Sequence, residues 1–249
     1  KDVKPGDVVL SLGCDSITEA KVVNCWEAGY KAVHTVSRKF RTINCSSKHK
    51  FLLRTKDGTS WVAVKDLNIG DEVAIVVKIP DCGIEILPNG KPATKALMHQ
   101  LGLFVGDGNI CRTNGYVMGV CIGRPITDAN RQNYIDEARC VWPTKKRYRD
   151  GRMANVIQDE RCFRICSIKA AESIIDLGFD GSSKTKRVPE WVFTLTVDLR
   201  KEFLKGILDT DGCDRGKGRY DLSFSNEELL NDVRDLCVSV GYHVSNVRY

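Results

Sequence analysis

The sequence predicts an α+β protein in two parts, an all-β front over residues 1–79 and a mixed α and β rear over residues 96–249. Three observations predict it. Short β-branched runs broken by turn residues fill the front. Longer helical periodicities alternate with short strands in the rear. The rear also shows one kind of helix ending twice, with two aspartates 104 positions apart (211 − 107).

In the front, the strand runs are DVVLSL, AKVVNCW, KAVHTV, RTINCS, KFLLRT, SWVAVKDL and DEVAIVV. Turn residues punctuate them, among them Pro5-Gly6-Asp7, Asp57-Gly58 and Gly70-Asp71. Gly6-Asp7-Val8-Val9 and Gly70-Asp71-Glu72-Val73 both lead into an apolar run, which suggests two related halves. Residues 80–95 hold three of the seven prolines and no apolar period, so they read as a linker.

The rear opens with a helix over 96–107 that stops at Gly108, since glycine just past a helix end is a common terminator. A strand follows (YVMGVCIG), then a helix beginning at Asp128 as its N-cap. A basic hairpin, a strand (RCFRICS) and a helix (KAAESIIDLGF) complete the first cycle. The second cycle runs from a helix over 198–211, stopped by Gly212, through the strand RYDLSFS and the helix 226–240 to a last strand, YHVSNVRY.

Composition narrows the function classes. With 249 residues, 42% hydrophobic and 28% charged, the chain can bury a core and is not a disordered tail. No apolar run approaches the roughly 18 residues that span a bilayer, and the first residues do not read as a signal peptide. The eleven cysteines are scattered without a CxxC pair, and only four histidines accompany them. That fits reduced thiols in an intracellular, reducing compartment better than a zinc cage. The net charge of +6 favours polyanions weakly. Its placement says more. Lys145, Lys146, Arg147, Arg149 and Arg152 sit at the expected hairpin tip, where a sheet could reach a DNA backbone; a solvated face is the alternative.

The repeated helix ending carries the chemistry. Gly102 and Gly106, and likewise Gly206 and Thr210, fall four apart and so share one helix face. Small residues there allow two helices to approach closely. Asp107 and Asp211 then lie at helix C-termini, where the helix dipole disfavours a carboxylate. Two such carboxylates side by side call for cations. Divalent ions, Mg²⁺ or Mn²⁺, answer that need and serve phosphodiester hydrolysis. The bland alternative is ordinary Asp-Gly turn chemistry, which a second occurrence in matching context makes unattractive.

Leu204-Lys205-Gly206-Ile207-Leu208-Asp209-Thr210-Asp211-Gly212 resembles the LAGLIDADG motif of homing endonucleases, and Leu101–Gly108 resembles a looser first copy. The resemblance implies two αββαββα repeats in one chain, about 96–180 and about 184–249, working as a monomer. It implies metal bound by Asp107 and Asp211, both catalytic, and a long asymmetric double-stranded DNA site read in the major groove. KTKRVPEWVF (184–193) resembles the segment leading into the second motif, which makes Lys186 the active-site lysine; a surface lysine is the alternative. The lysine of the other half is expected beyond Tyr249. The roles of Asp209 and His99 stay open: a solvent-facing position is the plain reading of Asp209, and packing rather than catalysis that of His99.

Residues 36–76 resemble the second conserved block of inteins, with Ser46 in the place of the usual threonine and His49 as the histidine. The ending Leu67-Asn68-Ile69-Gly70-Asp71-Glu72-Val73 matches that block's close, and Lys4-Pro5-Gly6-Asp7-Val8 resembles the stretch after an intein's start. The resemblance implies a Hint-type splicing domain acting on host exteins in cis. His49 would protonate a leaving amide nitrogen and Ser46 would hydrogen-bond the same peptide. It also implies a leading Cys or Ser and a trailing His-Asn. The sequence starts at Lys1 and closes at Arg248-Tyr249, so splicing is expected only where those ends are present. Two other readings stay open: a splicing element whose nuclease has decayed to a maturase-like DNA- or RNA-binding module, and an unrelated two-domain binding protein.

Overall fold

The computed structural model describes residues 3–13, 16–38, 41–76, 81, 83–143 and 156–244. Its architecture is α+β, and contacts divide the chain into two units, Lys1–Pro80 with Gly241–Tyr249, and Asp81–Val240.

The front unit is built of antiparallel hairpins. β1 (Val8–Leu12) pairs with β2 (Ile17–Lys21), β3 (Val33–Arg38) with β4 (Arg41–Ser46), and β5 (Lys50–Thr55) with β6 (Gly58–Ala63). β2 is ITEAK, where the sequence reading placed a strand over AKVVNCW; it was chosen by pairing with β1 rather than by its own weak β character. Within DEVAIVV the described residues, 71–76, form no strand of their own, and Val73 makes a single bridge to Leu53. The repeated Gly-Asp turns are alike in detail. Gly6 and Gly70 have φ of +100° and +102°, a conformation glycine adopts freely. Asp7 accepts from the amide of Lys4 at 2.7 Å, and Asp71 from the amide of Asn68 at 2.8 Å. Among the described apolar residues of this unit only Leu53 and Val64 are buried, while Val8, Leu10, Leu12 and Trp61 are exposed.

The rear unit holds the core. Residues 83–94 are part of it rather than a free linker: Ile84 bridges Leu195, and Leu87 and Ala93 are buried. α1 (Lys95–Asp107) is capped by Thr94, whose hydroxyl accepts from the amide of Leu97 at 3.2 Å. It passes directly into β7 (Gly108–Thr113), which turns back through Asn114 and Gly115, both at positive φ, into β8 (Tyr116–Ile122). An Asn-Gly pair supplies this hairpin geometry, a signal the sequence reading passed over together with β7.

α2 (Arg131–Val141) starts three residues later than expected. Asp128 does not cap it; its carboxylate accepts from the amide of Asn130 at 2.8 Å and pairs with Arg124. β9 (Val156–Gln158) and β10 (Phe163–Ile165) complete an antiparallel sheet of order β7-β8-β10-β9. Val120, Ile122, Phe163 and Ile165 point into the core. Asn109, Cys121 and Arg164 stand in register on the other face.

Then come α3 (Ile168–Asp176), capped by Ser167, and a short 3-10 turn over Glu190–Thr194. α4 (Val197–Asp211) runs straight into the hairpin of β11 (Gly212–Gly216) and β12 (Arg219–Leu222), and α5 (Glu227–Ser239) follows, capped by Asn226. The expected last strand is absent from Tyr242–Val244, and its remaining residues, 245–249, lie outside the described set.

Candidate active site

Two glycines bring α1 and α4 together. A methyl group on Gly102 would lie 2.9 Å from the Cα of Gly206, and one on Gly206 would lie 2.7 Å from the amide nitrogen of Leu103. Further along, Gly106 faces Thr210 and Asp211. Contacts that advance in step along both helices mean that they run in the same direction, with both C-termini at one end. Phe104, Leu101, Phe203, Leu204 and Ile207 fill the space on either side of the crossing, all fully buried.

The two helices stop at the expected glycines, by close approach of backbone rather than by a left-handed cap. Gly108 has φ −92° and Gly212 has φ −80°, so neither adopts the left-handed cap. Glycine is needed because a Cβ would sit 2.5 Å from the Cα of Phe104 in one case and 3.0 Å from that of Leu208 in the other. The chain leaves each helix straight into a strand, folded tightly back over the last turn.

Asp107 and Asp211 thus end two parallel helices side by side. Asp107 is 40% exposed at its side chain, while Asp211 is largely enclosed. Burial, followed by the charge of Asp107, pushes the Asp211 carboxyl up to about 6, against the opposing pull of Lys186. Its Oδ2 is buried without any hydrogen-bond partner. Buried polar atoms are nearly always satisfied, so this orphan on a carboxylate fits a cation.

Lys186 is buried, which removes the surface-lysine reading. Its ammonium donates to the carbonyls of Phe104, Val105 and Gly108 at 2.9, 2.9 and 2.6 Å, and lies 3.3 Å from that of Gly106. These carbonyls lie in the last turn of α1 and just past it, where the Phe104 carbonyl also accepts from the Gly108 amide, so the lysine caps the helix and offsets its negative pole. Burial lowers its pKa to about 8, although the charges of Asp211 and Asp107 pull the other way. Asn226, itself the cap of α5, donates to the Lys186 carbonyl at 2.7 Å and holds the backbone in place.

A second cation was not foreseen. Arg124, just past β8, has Nη1 3.6 Å from Asp107 Oδ2 and Nε 2.8 Å from Asp128 Oδ2, and donates from Nη2 to the Asp209 carbonyl. The guanidinium also lies over the Tyr134 ring at 5.7 Å. The signal was the pairing of Gly108 with Ile122, which carries residue 124 back to the end of α1; without β7 it could not be read. Asp209, whose role the sequence left open, is held by His99 at 2.9 Å, and His99 is buried.

The other candidates divide. Ser46 and His49 share the turn between β4 and β5: the His49 amide donates to the Ser46 carbonyl at 3.0 Å, and the exposed imidazole stands edge-on to Phe51. Lys145, Lys146, Arg147, Arg149 and Arg152 lie outside the described residues. Among the described residues no three His, Cys, Asp or Glu side chains converge on a common metal position, and no helix is long and apolar enough to cross a membrane.

No family model matches the chain. It is similar to an iron-sulfur cluster assembly SufBD family protein of Mycobacterium leprae, 27% identical over 270 residues, covering 97% of this chain and 30% of that protein. It is also similar to a replicative DNA helicase DnaB of Rhodothermus marinus, 26% identical, covering 90% of this chain and 24% of the helicase. The chain therefore spans under a third of the length of these relatives. Among solved structures, one of mesophilic variants from the homing endonuclease I-DmoI shares 18% identity with a TM-score of 0.37, over 57% of this chain and 71% of that one.

Proposed function

We propose that the rear unit is a metal-dependent, site-specific DNA endonuclease carried inside a protein-splicing element. The observation that supports it most is the partnerless, buried Oδ2 of Asp211 beside Asp107 at the feet of two tightly apposed helices. Asp107 and Asp211 would hold Mg²⁺ or Mn²⁺, which when bound supplies Lewis acidity toward a phosphodiester oxygen. Two carboxylates suffice, because Mg²⁺ commonly takes one or two from the protein and its other ligands from substrate phosphate and water.

The chain's own groups prepare that site. The glycine crossing sets how closely the two carboxylates approach. Arg124 screens Asp107 from the negative ends of both helices. Lys186 Nζ, with a pKa near 8, sits at the end of α1 where it can hold a proton or give it up around neutral pH. The open face of the four-stranded sheet and the basic run 145–152 would lie along the major groove of a long asymmetric duplex.

The splicing part rests on separate support. The chain matches under a third of each of two proteins whose printed names, an iron-sulfur cluster assembly SufBD family protein and a replicative DNA helicase, point to different roles. A segment shared by such different proteins fits an insert carried by unrelated hosts. The Ser46–His49 turn and the matched Gly-Asp turns fit the splicing block that the sequence resembles.

The test is incubation with Mg²⁺ and duplex DNA carrying the uninterrupted coding sequence of a host. Cleavage at one site, abolished by Asp211→Asn, supports the nuclease. Binding without cleavage, equal in wild type and Asp211→Asn, would instead leave a binding module.

A further inference from the structure

His99 lies two turns before Asp107 on α1 and is 5% exposed. Its Nδ1 is 2.6 Å from Glu137 Oε2 on α2, and its Nε2 is 2.9 Å from Asp209 Oδ2 on α4. A neutral imidazole donates from only one nitrogen. Both nitrogens here meet carboxylate oxygens, which accept, so the geometry calls for a doubly protonated ring. Burial opposes that charge, but the hydrogen bonds and charges of Asp209 and Glu137 outweigh it and lift the pKa to about 9. Gln100 reinforces the cluster by donating to Glu137 at 2.7 Å and to the Tyr134 carbonyl at 2.9 Å. The other groups facing it are Tyr134 on α2, its ring 5.6 Å from the imidazole, and Arg124 with Asp128 behind that ring.

The arrangement occurs on one side of the crossing only. The residue 104 places after His99 is Phe203, and the one 104 before Asp209 is Val105; both are buried and apolar. An apolar pair therefore suffices to build that part of a helix crossing. A buried histidine held by two part-exposed carboxylates is a costly substitute where only packing is needed.

We propose that His99 is a positioning residue. Clamped between Glu137 and Asp209, it fixes the last turn of α4 and with it the place of the Asp211 carboxylate two residues further on. The carbonyl of Asp209 is bound by Arg124, which also reaches Asp107, so a polar chain runs from the buried histidine to Asp107, while Asp211 follows Asp209 along the backbone of α4. This rests on the nuclease reading given above.

The test uses the full chain. His99→Phe installs the residue found at the matched position. A triple variant, His99→Phe with Glu137→Gln and Asp209→Asn, removes the stranded carboxylates that could unfold the single one. ¹⁵N-histidine NMR should show both ring nitrogens of His99 protonated at neutral pH; a neutral tautomer overturns the clamp. Mn²⁺ affinity by calorimetry and single-turnover cleavage are then measured beside duplex affinity. Displacement of Asp211 predicts weaker Mn²⁺ binding and a cleavage rate lower by roughly 10- to 100-fold in the triple variant, with duplex affinity unchanged. A folded triple variant that matches wild type in both removes the positioning role and leaves the nuclease intact. A wild type with neither Asp211-dependent Mn²⁺ binding nor cleavage removes both.

Discussion

Gly106 on α1 faces Asp211 on α4 so closely that a methyl group at position 106 would lie 2.6 Å from the carboxylate oxygen Oδ2. The contact couples the spacing of the helices to the environment of the buried acid. Gly106→Ala should push the two C-termini apart. The expected cost is about 1–3 kcal/mol, as for other overpacked interiors. It should appear as a lower melting temperature, and Asp211 should become easier to ionise as water enters. An unchanged melting temperature would show that the crossing has slack the structure does not display.

Asp211 also predicts a pH dependence. Its folded pKa of about 6 lies above the ordinary 3.8, so the folded state keeps a proton that the unfolded chain releases. Its contribution to stability therefore falls as pH rises from about 4 to 6, and the penalty is fully present above 6. Asp211→Asn should remove that slope and be the more stable protein at neutral pH. Thermal melts of both proteins across this range check it, and parallel curves would refute it.

His99 is raised too, but there the charged form is the one the fold favours. Its folded pKa of about 9 exceeds the ordinary 6.5, so its contribution is complete below 6.5 and is lost as pH rises to 9. The difference in melting temperature between wild type and the triple variant at His99, Glu137 and Asp209 should shrink across that window. A constant difference would mean that the ring does not titrate there.

Divalent cations should stabilise the folded chain. A ligand that binds only the folded state adds about 2.7 kcal/mol at a hundred times its Kd. Mg²⁺ or Mn²⁺ should raise the melting temperature of wild type, more strongly above pH 6 where Asp211 is ionised. The same titration of Asp211→Asn should be nearly flat, and an equal rise in both would place the binding elsewhere.

Lys186→Met keeps the apolar stem but takes the donors from several carbonyls at the end of α1. Leaving buried acceptors open costs about 1–3 kcal/mol each. The variant should melt well below wild type, and cleavage should be lost even at temperatures where it stays folded. Lys186→Arg should not restore it, because a planar guanidinium cannot match an ammonium ringed by carbonyls.

The helical elements of the rear were legible because their apolar periodicity reflects a local geometry. Helices at 95–107, 131–141, 168–176, 197–211 and 227–239 lie within or close to the expected ranges. The small-residue spacing Gly102/Gly106 and Gly206/Thr210 announced the close crossing. The first strand of each hairpin escaped. GNICRT and GCDRG have little β character and owe their structure to partners across the Asn114-Gly115 and Lys217-Gly218 turns. Arg124 escaped with them, since its approach to Asp107 follows from strand register.

By itself the sequence determined which residues could end a helix in an acid, which small residues could let two helices meet, and which lysine stood near a matching motif. Those properties depend on residue type and on spacing along one element. Only the tertiary structure decided that Lys186 caps α1, that Asp211 Oδ2 is buried without a hydrogen-bond partner, and that His99 grips Asp209 across 110 positions of chain. Burial and long-range pairing are set by where whole elements pack, and the charge state of a carboxylate, an amine or an imidazole follows from that packing.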